Sequence, residues 1–250
     1  MTQAMPETAV PEPLDGWRRD LLDAARKLSA TMMAGFVTGL LVGGIGSRLA
    51  MLILRLTSGP GVQGLESDDG FIIGRISPDS FFLIGLGVVS GLMTALIYVT
   101  IRAWFPERLR GPMMAVLLGI VGGSLIVHPD GVDFVVLEPR WLAIALFVVV
   151  PAAQGWLTGI LVERFLREES RFKKVPAWLA LIPILVLAIG GLAGPAILLG
   201  AVALWAVNRA QPVFGAVWLS EPVAWLGRTA VAVVTAFATV ALVRDAIEIL

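Results

Sequence analysis

Asp130-Gly131-Val132-Asp133-Phe134-Val135-Val136-Leu137-Glu138-Pro139 is the stretch that organises this chain. It follows one long apolar run, and its proline opens another. The same order stands earlier in Asp69-Gly70-Phe71-Ile72-Ile73-Gly74-Arg75-Ile76-Ser77-Pro78, where Asp-Gly again precedes the proline by nine residues. A third version, ahead of Glu221-Pro222, keeps the apolar run and the acidic-proline start but has no Asp-Gly. Proline suits the first turn of a helix, whose leading N–H groups have no intrahelical acceptor. The short apolar runs at 71–76, 132–137 and 213–219 suit extended strands.

Working outward, each of these stretches joins two hydrophobic segments. The expected fold is therefore an all-α polytopic membrane protein built as three parallel helix–loop–helix repeats, about 31–103, 112–163 and 177–243, with short extended segments in an extracytoplasmic cap. Gly91-Leu92-Met93-Thr94 in the first unit parallels Gly155-Trp156-Leu157-Thr158 in the second, given a three-residue insertion. Units running in one direction would share an axis along the membrane normal.

Composition agrees with a membrane class. The chain is 57% hydrophobic and 15% charged, and the apolar residues gather in long uncharged runs. Such runs are stable in lipid as helices, which satisfy their own backbone hydrogen bonds. The first 27 residues are polar and read as a tail and a surface helix, not as a cleavable signal. With no cysteine, thiolate metal sites, disulfides and cysteine nucleophiles are excluded. Net charge is zero and no like-charge block points to nucleic acid.

Six spans are expected, at 31–54, 81–103, 112–128, 141–163, 177–207 and 222–243. The fifth is long and carries Pro183 and Gly190-Gly191-Leu192-Ala193-Gly194-Pro195, so it is either one kinked span or a broken one. With the N-terminus inside, thirteen cations fall on the inner side, and Arg55, Arg75, Arg140 and Arg209 fall outside, which predicts cytoplasmic N- and C-termini. Trp104 and Trp178 then mark inner ends, and Trp141, Trp205, Trp218 and Trp225 outer ends. Residues 1–14 read as a disordered cytoplasmic tail and 15–30 as an interfacial amphipathic helix, the alternative being an extension of the first span. Gly35, Gly39 and Gly43, with Gly87 and Gly91, form small-residue ridges for close helix packing or dimer contact.

Charges inside spans are the best functional pointers, because each costs ~2.5–3.5 kcal/mol to insert. Arg48 and Arg228 qualify, both expected at a similar outer depth. Gln154, beside Pro151 and Gly155, is the third ligand-binding candidate. Above them stands an acidic cap with Glu66, Asp68, Asp69, Asp130 and Asp133. The competing structural reading pairs the arginines with cap carboxylates and lets Gln154 bond a neighbouring helix. The acids lack the spacing of a calcium loop, and a lone His128 cannot build a multi-histidine site, so no metal or cofactor is assigned. No nucleophile elbow, Ser-His-Asp order or HExxH is present, which argues against an enzyme.

Two functions stay nearly level on this reading. One is transport or binding of a small solute or ion through an outward-facing polar pocket. The other is a non-enzymatic accessory or scaffold subunit of a membrane complex. Expected partners are membrane lipids and a second copy or a complex subunit, and the expected location is a bacterial cell membrane, multi-pass.

Overall fold

Three of the hydrophobic segments begin as helices within one residue of the prolines singled out above. In the computed structural model, which describes residues 16–62, 64, 79–167, 169–170, 199, 202–203, 206 and 213–250, helices start at Asp79, Arg140 and Glu221. The chain begins with α1 (Gly16–Thr38), a π-helical segment (Gly39–Gly46) and α2 (Ser47–Thr57), which form one continuous 42-residue rod. Then come α3 (Asp79–Ile101), α4 (Arg110–Ile126), α5 (Val132–Val136), α6 (Arg140–Leu166), α7 (Val213–Trp218) and α8 (Glu221–Ile249). Five helices are long and apolar enough to cross a bilayer, with bounds of Gly16–Thr57, Phe82–Trp104, Glu107–Ile126, Arg140–Leu166 and Glu221–Ile249. That is the make-up of a multi-pass membrane protein. The tail 1–14, the run 71–76, the acids Glu66, Asp68 and Asp69, and the span 177–207 lie outside the described residues.

The segment 16–30 continues into the first span without a break. At 1.5 Å per residue the rod is about 60 Å long, roughly twice a ~30 Å hydrocarbon core, so it reaches well beyond the bilayer. Its π segment, Gly39-Leu40-Leu41-Val42-Gly43-Gly44-Ile45-Gly46, is rich in glycine, the residue that holds helical geometry least firmly.

Glycines bring α1 and α3 into backbone contact. A Cβ added to Gly35 would lie 2.7 Å from the Gly91 carbonyl oxygen, and one on Gly39 only 2.6 Å from that of Gly87. The second hairpin is built alike: a Cβ on Gly119 would meet Ala152 at 2.8 Å, and one on Gly159 would meet Gly111 at 2.9 Å. Lipid tails are as apolar as leucine, so close van der Waals approach of this kind holds such helices together.

The expected extended segments are not strands. Residues 132–136 and 213–218 are short helices. In α5 the Gly131 carbonyl accepts the N–H groups of Phe134 and Val135, so the turn satisfies its own backbone. No strand exists among the described residues to complete a ladder.

The direction of α8 also differs from expectation. At one end of the bundle, where α3 and α6 finish, Arg228 Nε donates to the Trp104 carbonyl at 2.6 Å and Trp218 Nε1 to that of Thr100 at 3.2 Å. At the other, Arg140 Nη1 donates to the Ile249 carbonyl at 3.0 Å, and Ile249 packs with Leu54, Val127, Phe134 and Leu137. Thus α8 runs with α1 and α4 and antiparallel to α3 and α6. The three units are therefore not parallel copies, and Gly16 and Leu250 lie at opposite ends. Trp218 and Trp225 share an end with Trp104 instead of opposing it. The physical reason is docking at both tips of α8, which a count of charges per loop does not register.

Candidate functional site

Among the described residues, polar side chains gather in three places: the centre of the bundle, the end where α6 finishes, here the Glu163 end, and the opposite end. At the centre Gln154, on α6, is 4% exposed, and its amide nitrogen donates to Ser90 Oγ at 3.1 Å and Thr94 Oγ1 at 3.2 Å on α3. One turn further along α6, Thr158 Oγ1 donates to Thr38 Oγ1 at 2.9 Å, and Thr38 donates to the Gly35 carbonyl. Thr38 immediately precedes the π segment, and Gly43 within it faces the Gln154 carbonyl oxygen. Ser47 Oγ donates back to the Gly43 carbonyl. One seam of hydroxyls and an amide thus ties α1, α3 and α6 together at the point where the first rod widens.

At the Glu163 end a carboxylate is clasped from three sides. Tyr98, fully buried, donates its hydroxyl to Glu163 Oε1 at 2.8 Å. Arg102 approaches with Nε at 3.0 Å from Oε1 and Nη2 at 3.1 Å from Oε2. Arg110 Nη1 lies 3.3 Å from both oxygens. The cluster joins α3, α4 and α6, and Ala34 of α1 packs into the apolar group around Tyr98.

At the opposite end Thr57 and Ser58 hold the start of α6: their hydroxyls donate to the Glu138 carbonyl at 2.9 and 3.0 Å, and the Glu138 N–H donates to Ser58 Oγ at 2.8 Å. Asp133 is buried here, while Asp130 is exposed. His128 Nδ1 lies 4.0 Å from Asp245 of α8.

The three ligand-binding candidates are not brought together. Arg48 is half-buried toward the Glu138 end, with Nε and Nη2 shut off from solvent. Gln154 sits at mid-bundle. Arg228 is exposed at the Glu163 end, its guanidinium over Trp225 at 5.8 Å. The expected common depth of Arg48 and Arg228 does not hold, because α8 runs the other way. Sequence reasoning missed Tyr98, Arg102, Arg110 and Glu163. The available signal was Glu163 itself, an acid in the final turn of a span, where the helix dipole disfavours negative charge.

These features define a class, an all-helical multi-pass membrane protein with a hydrogen-bonded core and an ion cluster at one end. Compared with protein-family models, with curated proteins and with solved structures, the chain matches none.

Proposed function

We propose that this protein is a non-enzymatic accessory or scaffold subunit of a cell-membrane complex, with its N-terminus cytoplasmic and its C-terminus outside. The orientation rests on arginine and lysine placement. Among the described residues, Arg18, Arg19, Arg26, Lys27, Arg102, Arg108, Arg110, Arg164, Arg167 and Arg228 belong to the Glu163 end, against Arg48, Arg55, Arg140 and Arg244 at the other, ten to four. Reversing α8 only exchanges Arg228 for Arg244, so the positive-inside bias survives.

One observation carries the scaffold reading: among the described residues, the mid-bundle amide and hydroxyls and the Glu163 carboxylate are engaged with one another. Gln154 is held by Ser90 and Thr94, Thr158 by Thr38, and Glu163 by Tyr98 and two arginines. Backbone-to-backbone contact along the glycine ridges brings α1 against α3 and α4 against α6. The test is purification in mild detergent from the native membrane, with particle mass measured, alongside solute-uptake assays in proteoliposomes. A stoichiometric complex without saturable uptake is the expected result. A lone chain with saturable uptake would overturn the reading.

Transport is the second reading, and the π segment favours it. Such segments recur at functional sites, and this one abuts Gln154 at mid-bundle. Uptake abolished by Gln154→Leu in a protein of unchanged stability would decide for it.

A further inference from the structure

Two neighbouring helices are weakened at one depth. The first rod turns π-helical over Gly39–Gly46, and α6 carries Pro151 in its interior. A proline inside a helix offers no N–H to the carbonyl four residues back, here that of Phe147. Prolines and π segments are where helices kink. The two breaks adjoin, because Gly43 faces the Gln154 side-chain oxygen and Gln154 follows Pro151 by three residues. Helix α4 meets them with glycine: a Cβ on Gly122 would stand 3.0 Å from Pro151.

Beyond the breaks lie two arms of equal length. From Gly46 to Thr57, and from Pro151 back to Arg140, each helix rises about 17 Å at ~1.5 Å per residue. Their tips are tied, since the Thr57 and Ser58 hydroxyls donate to the Glu138 carbonyl. Leu54 of α2, Phe134 of α5 and Ala143 of α6 share one apolar cluster, which makes these elements a block. Helix α3 stands apart from it. It runs unbroken from Asp79 to Ile101, and its Ala95 and Tyr98 join Val162 of α6 in the cluster at the Glu163 end. Helix α8 spans both clusters, but near its middle the Thr235 and Thr239 hydroxyls bond carbonyls four residues back, an arrangement that bends helices.

We propose that α2, α5 and the start of α6 move as one block against α3, pivoting at Gly39–Gly46 and Pro151 together. The tie at Glu138 couples the two hinges, so neither arm bends without the other. A bend of ~20°, where a sharp kink begins, carries the tip of such an arm about 6 Å. That movement parts α2 from α3 and opens the Gln154 seam toward the Glu138 end. It goes beyond the choice between scaffold and transporter and serves either.

The test is a pulsed spin-label distance measurement on the full, otherwise cysteine-free chain in lipid nanodiscs. Leu56→Cys on α2 and Phe82→Cys on α3 are exposed sites that report the arm against its reference helix. The labelled parent is expected to give two distances differing by about 6 Å. Gly46→Ala, whose added Cβ would meet nothing closer than 3.5 Å, and Pro151→Ala should each leave one distance. Pro151→Ala is the sharper variant, because it lies on α6 and neither label does. Removing the tie with Thr57→Val and Ser58→Ala should cancel its effect on the α2 label. If Pro151→Ala folds poorly, the exposed Trp141→Cys replaces Leu56→Cys, and Gly46→Ala should then collapse the α6 distances as well. A single narrow distance in the parent would overturn the proposal. So would two distances persisting at α2 in Pro151→Ala, or at α6 in Gly46→Ala.

Discussion

Helices α3 and α8 are both apolar enough to cross a bilayer, yet 28% of the most apolar window of the α3 span is buried within the protein and none of that of α8. Hydrophobicity therefore does not decide which helix becomes core. On α3, Gly87, Gly91, Thr94, Ala95 and Tyr98 present small or hydrogen-bonding groups to α1 and α6. On α8, Val233, Val234, Phe237 and Val240 point outward, bulky and exposed. Among the described residues it packs along α4, with Leu242 against Gly123, and is hydrogen-bonded at both tips. In lipid, apolar bulk gains nothing by moving from tails to protein, so small-residue grooves and matched polar groups select the core helices.

The contrast breaks most severely at Gly91. A Cβ there would collide with the Gly35 carbonyl and with Gly39, all of them backbone. Gly91→Leu is expected to cost more than the ~1–3 kcal/mol usual for overpacking and to abolish a monodisperse peak in size-exclusion chromatography. Gly85→Leu, on the same helix with nothing within 4 Å, should elute unchanged. Next comes Glu163→Gln, which leaves Arg102 and Arg110 sharing a neutral amide. With Arg110 14% and Glu163 27% exposed, the loss should be about 2 kcal/mol, read as a lower denaturation midpoint. Equal midpoints for variant and parent would remove the cluster from the account.

Much of this was legible from residues alone. Pro78, Pro139 and Pro222 mark helix starts because their missing N–H costs nothing there. The four-residue glycine spacing of the first span announced close packing, and Gly87 and Gly91 proved to be its partners. The Glu163 cluster was hidden because its members lie 53 to 65 residues apart and meet only through helix packing. The direction of α8 was hidden for another reason. Arg228 and Arg244 exchange ends with no change in the charge count, and Trp218 and Trp225 anchor either surface equally well. The runs 132–136 and 213–218 misled because valine and phenylalanine favour strands only where a neighbouring strand exists.

Smaller effects sharpen the comparison. Gln154→Leu removes the donors to Ser90 and Thr94, whose hydroxyls can turn back to their own helix carbonyls. The expected loss is about 1 kcal/mol, typical of interhelical hydrogen bonds in membranes, measured by thermal unfolding in detergent. Phe237→Ala on α8 lies at a site 73% exposed and should shift the same midpoint by less than about 0.5 kcal/mol. A larger loss at Phe237 than at Gln154 would mean that α8 is a core helix after all.

The central claim is that α8 runs with α1, placing the two ends of the described chain on opposite faces of the membrane. The chain has no cysteine, so single substitutions report cleanly. Ser170→Cys, just beyond α6, and Leu250→Cys, at the exposed end of α8, should be treated with a membrane-impermeant maleimide on intact cells. The account predicts labelling of Leu250→Cys from outside and of Ser170→Cys only after permeabilisation. Labelling of both positions from the same side would contradict it.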